Sequence, residues 1–294
     1  MPEARREEFM DCFYVIANEL KEYAIKESVF IKNYLEDRHK VCYLHKCGGN
    51  DLNERGQYTD ASSIPEDVEC VIAIGGDGTL LHASRDIVGT GLPILGINMG
   101  TLGYLADIDV ANVEDALDRL IADRFYIEDR MMLRGCVEKQ DHSTVEDIAL
   151  NDIVLSRRGK LRVVDFNIYV DETFLCSYRA DGIIVSTPTG STGYTLSAGG
   201  PIVSPDASLI LLTALAPHTL ASRTIVLPDH VKVTIEISAE EGHRDGKAEL
   251  LFDGNALSTM GCGERVTISK TEQKTHLIKM DHKSFVTNLR EKLR

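Results

Sequence analysis

The chain has 294 residues, 43% of them hydrophobic and 27% charged, a soluble composition with enough apolar chain for about two domains. Its 46 acidic against 32 basic residues give a net charge of −14, which argues against a nucleic-acid binder held by a general basic field and against docking to an anionic membrane. No stretch approaches the ~20 apolar residues that span a bilayer, "MPEARREEFMDCFYVIANEL" lacks a targeting pattern, and the seven cysteines are odd in number without C-x-x-C spacing, so a cytoplasmic protein with reduced thiols is expected.

"CFYVIA" reads as a strand. From Asn18 to about Arg38, Leu20, Tyr23, Ala24, Ile31, Tyr34 and Leu35 recur at helical spacing, and "KVCYL" follows as a second strand. "CYLHKC" gathers Cys42, His45 and Cys47, but no second ligand pair with zinc spacing accompanies it, so no metal ligand is assigned. "HKCGGNDLNERGQYTDASSIPED" is a polar loop, and its segment 46–66 carries no assigned role. "VECVIAIG", a third strand, runs directly into Gly75-Gly76-Asp77-Gly78-Thr79. A glycine turn after a parallel strand lies at the carboxyl edge of the sheet, where α/β proteins bind ligands. This one is neither a Walker A loop nor a dinucleotide G-x-G-x-x-G. Its carboxylate is unexpected in a phosphate cradle, and the plainer reading has Asp77 or Thr79 capping the next helix.

"TLLHASRDIV" reads as that helix and "LPILGIN" as a fourth strand; the alternation predicts a parallel α/β sheet. In "GINMGTLGYLAD", Tyr104 either lies against a base or anchors the loop. After a helix-like "NVEDALDRLIADRF" the character changes. From about Met131 short β-rich runs are separated by turns, which predicts an all-β region. Within it, Asn151-Asp152 interrupts the apolar run "DIALNDIVLS", where polar side chains imply a partner. "RADGIIVSTPTGSTGYTLSAGGPIV" places a strand before a hydroxyl-rich loop and a short helix, a pattern suited to reading a nucleotide, with Arg179 and Asp181 flanking it. "LFDGNAL" carries the Asp-Gly hairpin signal and could set Asn255 beside a ligand. "SFVTNLREKLR" reads as a terminal helix. The expected architecture is an α/β N-terminal domain with a parallel sheet, residues 1–110, plus a β-rich C-terminal domain, 111–274, with a C-terminal helix at about 275–294 packing back on the first.

Together, "GGDGT", "NMGTLGYLAD", "NDIVLS", "DGIIVSTPTGSTGYTLSAGGPIVSP" and "PHTLASRTIVLP", in this order, resemble the NAD kinase family from about Val71 to the C-terminus. "STPTGSTGY" is the most specific block; GGDG alone also occurs in lipid kinases and phosphofructokinases. The resemblance implies a cytoplasmic homodimer or homotetramer with its active site between the two domains. It implies transfer of a phosphoryl group from ATP, or polyphosphate, to the 2′-hydroxyl of the adenosine ribose of NAD, with Mg²⁺ or Mn²⁺. It implies a catalytic base at Asp77 within a nucleotide-binding turn of Gly76, Gly78 and Thr79, and an aromatic near adenine at Tyr104. Asn151 and Asp152 would bind the NAD ribose. Arg162 and Arg179 would contact phosphate or ribose, and Asp181 the nicotinamide end or the second nucleotide. The segment Thr192, Gly193, Tyr194, Thr195, Leu196 and Ser197 would read adenine, Thr189 would join the same nucleotide site, and Asn255 stands where a Gln is frequent. The departures are Asp152 for Glu, Gly193 for Ala and Thr224 for the Pro that follows Arg. A lipid or sugar kinase and a dinucleotide sensor without turnover are the competing readings.

Overall fold

The computed structural model describes residues 10–18, 21–45, 59–100, 103–106, 108–139, 143–158, 163–219, 223–238, 246–281 and 285–292. The chain divides into two compact units, residues 1–129 with 275–294, and residues 130–274.

In the first unit the strands are β1 (Cys12–Ala17), β2 (Val41–Leu44), β3 (Cys70–Gly75), β4 (Ile94–Asn98) and the short β5 (Ile108–Asp109). All pair in parallel, in the order β4-β3-β1-β2 with β5 on β4. Every residue of β1, β3 and β4 is buried, as expected of parallel strands covered on both faces. The helices are α1 (Glu22–Glu36), α2 (Asp77–Ile87) and α3 (Val113–Ile121). α1 buries Ala24, Ser28, Ile31 and Leu35, one face at three- and four-residue spacing. α3, read from sequence with the β-rich half, sends Val113, Ala116, Leu117 and Leu120 into the same core as Phe13, Ile72 and Leu95. That apolar stripe fixes α3 to the first unit, ahead of the change in sequence character near Met131.

The second unit begins within β6 (Tyr126–Glu138), which pairs antiparallel with β7 (Thr144–Ala149). β8 (Asp152–Arg157), β9 (Val164–Val170), β10 (Thr173–Ala180) and β11 (Gly182–Ser186) follow, then α4 (Tyr194–Ser197). β12 (Leu209–Leu215), β13 (Ile225–Pro228), β14 (Val233–Ile237), β15 (Ala248–Phe252), β16 (Asn255–Met260) and β17 (Arg265–Lys279) complete the strands, and α5 (Phe285–Lys292) closes the chain. One antiparallel sheet has the order β13-β12-β11-β8-β15-β16; elsewhere β10, β9, β14 and the first part of β17 pair in turn. Their inner faces share a core that includes Phe166, Ile183, Ile235 and Phe252.

The structure divides two sequence runs differently. "DIALNDIVLS" reads as one apolar run but forms two strands, because β7 pairs with β6 while β8 pairs with β11 and β15. The chain changes partners at Leu150–Asn151, which places Asn151 at a bend. Conversely "RVTISK" and "THLIKM" are one strand, β17, so 275–279 is strand and the terminal helix starts at Phe285. β17 passes from the second unit, where Ile268 pairs with Val233, to the first, where Leu277 pairs with Ile94.

Candidate functional site

Most of the residues singled out in the sequence gather at two loci, one in each unit. In the first unit, buried β3 ends at Gly75 and α2 starts at Asp77, with Gly76 as its N-cap. Neither Asp77 nor Thr79 caps the helix; the cap makes no side-chain hydrogen bond. The Asp77 carboxylate turns instead to the loop after β4. Oδ2 accepts from the backbone N–H of Tyr104 at 2.6 Å, and Oδ1 from those of Leu105 at 3.2 Å and Ala106 at 3.1 Å. Three successive N–H groups make an anion-holding concavity, so the carboxylate is oriented rather than free to rotate.

That arrangement gives two kinds of glycine. A Cβ on Gly76 or Gly78 would meet nothing within 4 Å, and neither has positive φ. Their missing side chains serve neither backbone conformation nor packing, and leave the surface beside Asp77 open to close approach. A Cβ on Gly103 would lie 1.7 Å from Asp77 Oδ1, so the loop can reach the carboxylate only with glycine there. Thr79, 4% exposed, lies in the first turn of α2 and its hydroxyl accepts from Asn18 Nδ2 at 3.4 Å. For Tyr104, the backbone N–H is what joins this locus.

In the second unit the locus forms where β8 begins and β11 ends. Register pairs Asp152 with Ser186, so the "TPTGST" loop leaves the sheet beside Asn151 and Asp152. Thr187 N–H donates to Asn151 O at 2.9 Å and the Thr187 hydroxyl to Leu150 O at 2.6 Å. Thr187 Oγ1 accepts in turn from Gly190 N–H at 3.1 Å. A Cβ on Gly190 would sit 2.2 Å from Asn151 O, so the loop closes on the bend only through glycine. A Cβ on Gly193 would meet Gly190 O at 3.3 Å, Asn151 Nδ2 at 3.6 Å and Asp152 Oδ2 at 3.8 Å. Those distances bring the Asn151 and Asp152 side chains together at the start of α4, and show room for Ala where this sequence has Gly.

Two polar atoms here have no hydrogen-bond partner: buried Asn151 Oδ1, and Thr195 Oγ1 on a fully buried residue. An unsatisfied buried polar atom costs about 1–3 kcal/mol, which a ligand donor would relieve. Burial, and then the charge of Asp253, push the Asp152 carboxyl up from the usual carboxylate range to about 7. Thr189 is buried and its hydroxyl accepts from buried Arg130 at 3.4 Å; Thr192 donates to Thr189 O at 3.2 Å. On α4, Tyr194 and Leu196 are large apolar side chains exposed at 48% and 39%, and Ser197 is exposed too.

Asp253 escaped the sequence reading. The Asp-Gly turn joins β15 and β16 as the hairpin signal implies, with Asp253 at φ +49° and Gly254 at φ +82°. Its carboxylate, however, accepts from the N–H groups of Leu150 (2.8 Å), Asn151 (2.8 Å) and Asp152 (3.1 Å). The residue type was visible in the sequence, but its partners lie 101–103 positions away. Asn255 opens β16 directly after this turn.

The remaining site candidates are not brought to this point. Asp181 precedes β11 and pairs with Arg157 at 2.6 Å; Arg179 on β10 holds Asp165 through two bonds of 2.8 and 3.1 Å. Between Asp181 and Thr187 lie six steps of extended chain, about 20 Å at ~3.3 Å per residue. Arg162, and Cys47 of the "CYLHKC" cluster, lie outside the described residues. The described residues contain no group of three His, Cys, Asp or Glu able to hold a metal ion.

Residues 13–125 match the family described as ATP-NAD kinase N-terminal domain, and 150–280 the ATP-NAD kinase C-terminal domain. A curated relative named NAD kinase from Lachnospira eligens is 38% identical over 293 residues, covering 97% of this chain and all of the relative. Yeast NADH kinase, solved with NADH, superposes with a TM-score of 0.83 at 22% identity, over 98% of this chain and 88% of the other. An NAD kinase from Archaeoglobus fulgidus, solved with ATP, gives 0.68 at 24% identity, over 92% and 94%.

Proposed function

The chain belongs to the NAD kinase family, and from that premise we infer its reaction: it phosphorylates NAD to NADP, with ATP as donor. The observation that carries the reading on this chain is the pair of loci, an oriented carboxylate beside an open glycine surface and a polar bend with two unsatisfied buried atoms.

The acceptor is the 2′-hydroxyl of the adenosine ribose. Such a hydroxyl is a poor nucleophile, and Asp77 accepts its proton as the oxygen attacks the γ-phosphorus, a contribution of about 10²–10⁴-fold. The backbone N–H groups of Tyr104, Leu105 and Ala106 hold the carboxylate in place while it does so. Gly76 and Gly78 let the donor phosphates pass close to the backbone. Mg²⁺ or Mn²⁺, carried on those phosphates, neutralises their charge. Asn151 and Asp152 hold ribose hydroxyls, and Thr189 with the segment 192–197 receives the adenine. The rest of the transfer is positioning.

The protein works in the cytoplasm as a homo-oligomer, a dimer or tetramer. Among the described residues no helix is long and apolar enough to cross a membrane. In this reading Asp181 and Arg179, which stand away from the Asn151 bend, serve a dinucleotide held at the bend of another subunit. Polyphosphate as an alternative donor is part of the same reading. The test is a kinetic screen of the purified protein offering NAD, NADH, diacylglycerol, a sphingoid base and fructose 6-phosphate with ATP or polyphosphate. NADP from NAD and ATP is expected; a lipid or sugar phosphate without NADP refutes the reading.

A further inference from the structure

A hairpin turn asks only for backbone conformation, and at φ +49° followed by glycine at φ +82° Asp253 supplies it. Such a side chain normally points into water. Asp253 is instead 7% exposed, and its two oxygens take the N–H groups of three consecutive residues at the bend where the chain leaves β7 for β8. The exchange is reciprocal, since Asp253 N–H donates to Asp152 O at 3.0 Å. We propose that Asp253 is a positioning residue for dinucleotide binding, which fixes the Leu150–Asp152 backbone from the β15–β16 turn and so aims the Asn151 and Asp152 side chains at the ribose. This rests on the assignment of Asn151 and Asp152 to the NAD ribose.

The geometry has an electrostatic consequence. Asp253 places a negative charge beside buried Asp152 and, after burial itself, is what raises that carboxyl to about 7. Apart from Asp253, the groups that the described residues bring to Asp152 are neutral: Asn151 at the bend, Ser186 opposite it on β11, and the Gly193 backbone before α4. Arg130 of β6 is directed to the Thr189 hydroxyl. An ionised carboxylate accepts from a ribose hydroxyl more strongly than the neutral acid does. NAD affinity therefore rises as the pH climbs through the Asp152 midpoint and levels off above it. Removing the Asp253 charge lowers that midpoint and moves the rise to more acid pH.

The experiment is NAD binding by calorimetry between about pH 5 and 9, bracketing the Asp152 midpoint, on the wild-type chain, Asp253→Asn and Asp253→Glu, with circular dichroism to establish folding. Asp253→Asn turns an amide N–H₂ toward a backbone N–H; it is expected to weaken NAD binding by about tenfold or more and to shift the pH profile to lower pH. Asp253→Glu keeps the charge one methylene away; it is expected to weaken binding with the wild-type midpoint. Wild-type binding near neutral pH is expected to release a proton, read from its heat in two buffers, and this needs no variant to fold. A folded Asp253→Asn chain with wild-type affinity and pH profile overturns the proposal, as does a wild-type chain whose NAD binding is flat across this range. NADP formation is measured separately. A chain that shows these shifts but makes no NADP refutes the kinase reading and leaves the positioning role standing.

Discussion

Single atoms at glycine positions decide much of this protein's chemistry. The Asp77 carboxylate and a Cβ on Gly103 cannot share space at 1.7 Å. Gly103→Ala should push the carboxylate or the loop aside by about 1 Å, a misplacement that costs ~100-fold in turnover. Steady-state kinetics should show that loss in kcat, with the KM for NAD near its wild-type value because the clash falls on the Asp77 carboxylate and not on Asn151 or Asp152. Gly190 and Gly193, three positions apart, should behave in opposite ways. At 2.2 Å from Asn151 O, a Cβ on Gly190 must distort the bend, and Gly190→Ala should weaken NAD binding at least about tenfold. At 3.3 Å from its nearest neighbour, a Cβ on Gly193 needs a few tenths of an ångström, and Gly193→Ala should leave binding and rate within about twofold. Sequence pattern marked Asp77, Asn151, Asp152 and the "TPTGST" loop because glycine turns and polar interruptions of apolar runs are local signals. It did not mark Gly103 or Asp253, whose partners lie at Asp77 and at 150–152 and meet them only once the chain is folded.

Elements show the same division between local and long-range information. β3 and β11 are continuous buried runs and were legible as strands. The break between β7 and β8 was not, because hydrophobicity does not fall where a chain changes sheets. The break is set by Asp253 and by Thr187, both remote in sequence. α3 was legible as a helix but not as a member of the first unit, since an apolar stripe does not name the core it will enter. Leu117 is fully buried in that core. Leu117→Ala should therefore cost about 2–5 kcal/mol of stability, read by denaturant unfolding. Its effect should fall on the transition that exposes the parallel-sheet unit, followed by hydrogen exchange in β1 and β3. If the second unit alone loses protection, α3 has been placed in the wrong core.

For the molecule as a whole, the expected fold class, an α/β part with a parallel sheet and a β-rich part, is borne out. At this scale the oligomer reading makes its own demand. Asp181 and Asn151 stand about 20 Å apart along β11, so one compact ligand group cannot touch both within one chain. If a subunit's Asp181 serves a dinucleotide at a neighbour's bend, then Asp181→Ala and Asn151→Ala chains should each be nearly inactive alone. Co-expressed, they should recover activity, because a mixed pair contains one intact site. Activity that never exceeds the sum of the two separate preparations would mean each chain builds its site alone.

The central claim is that this chain makes NADP with Asp77 taking the proton from the ribose hydroxyl. The most direct test is single-turnover NADP formation from NAD and ATP with Mg²⁺ or Mn²⁺, for the wild-type chain and for Asp77→Asn, alongside calorimetric NAD binding by both. The account predicts NADP phosphorylated at the 2′ position from the wild type. It predicts NAD binding by Asp77→Asn within a few-fold of wild type, and a phosphoryl-transfer rate lower by about 10²–10⁴-fold. An Asp77→Asn chain that turns over at nearly the wild-type rate would contradict it.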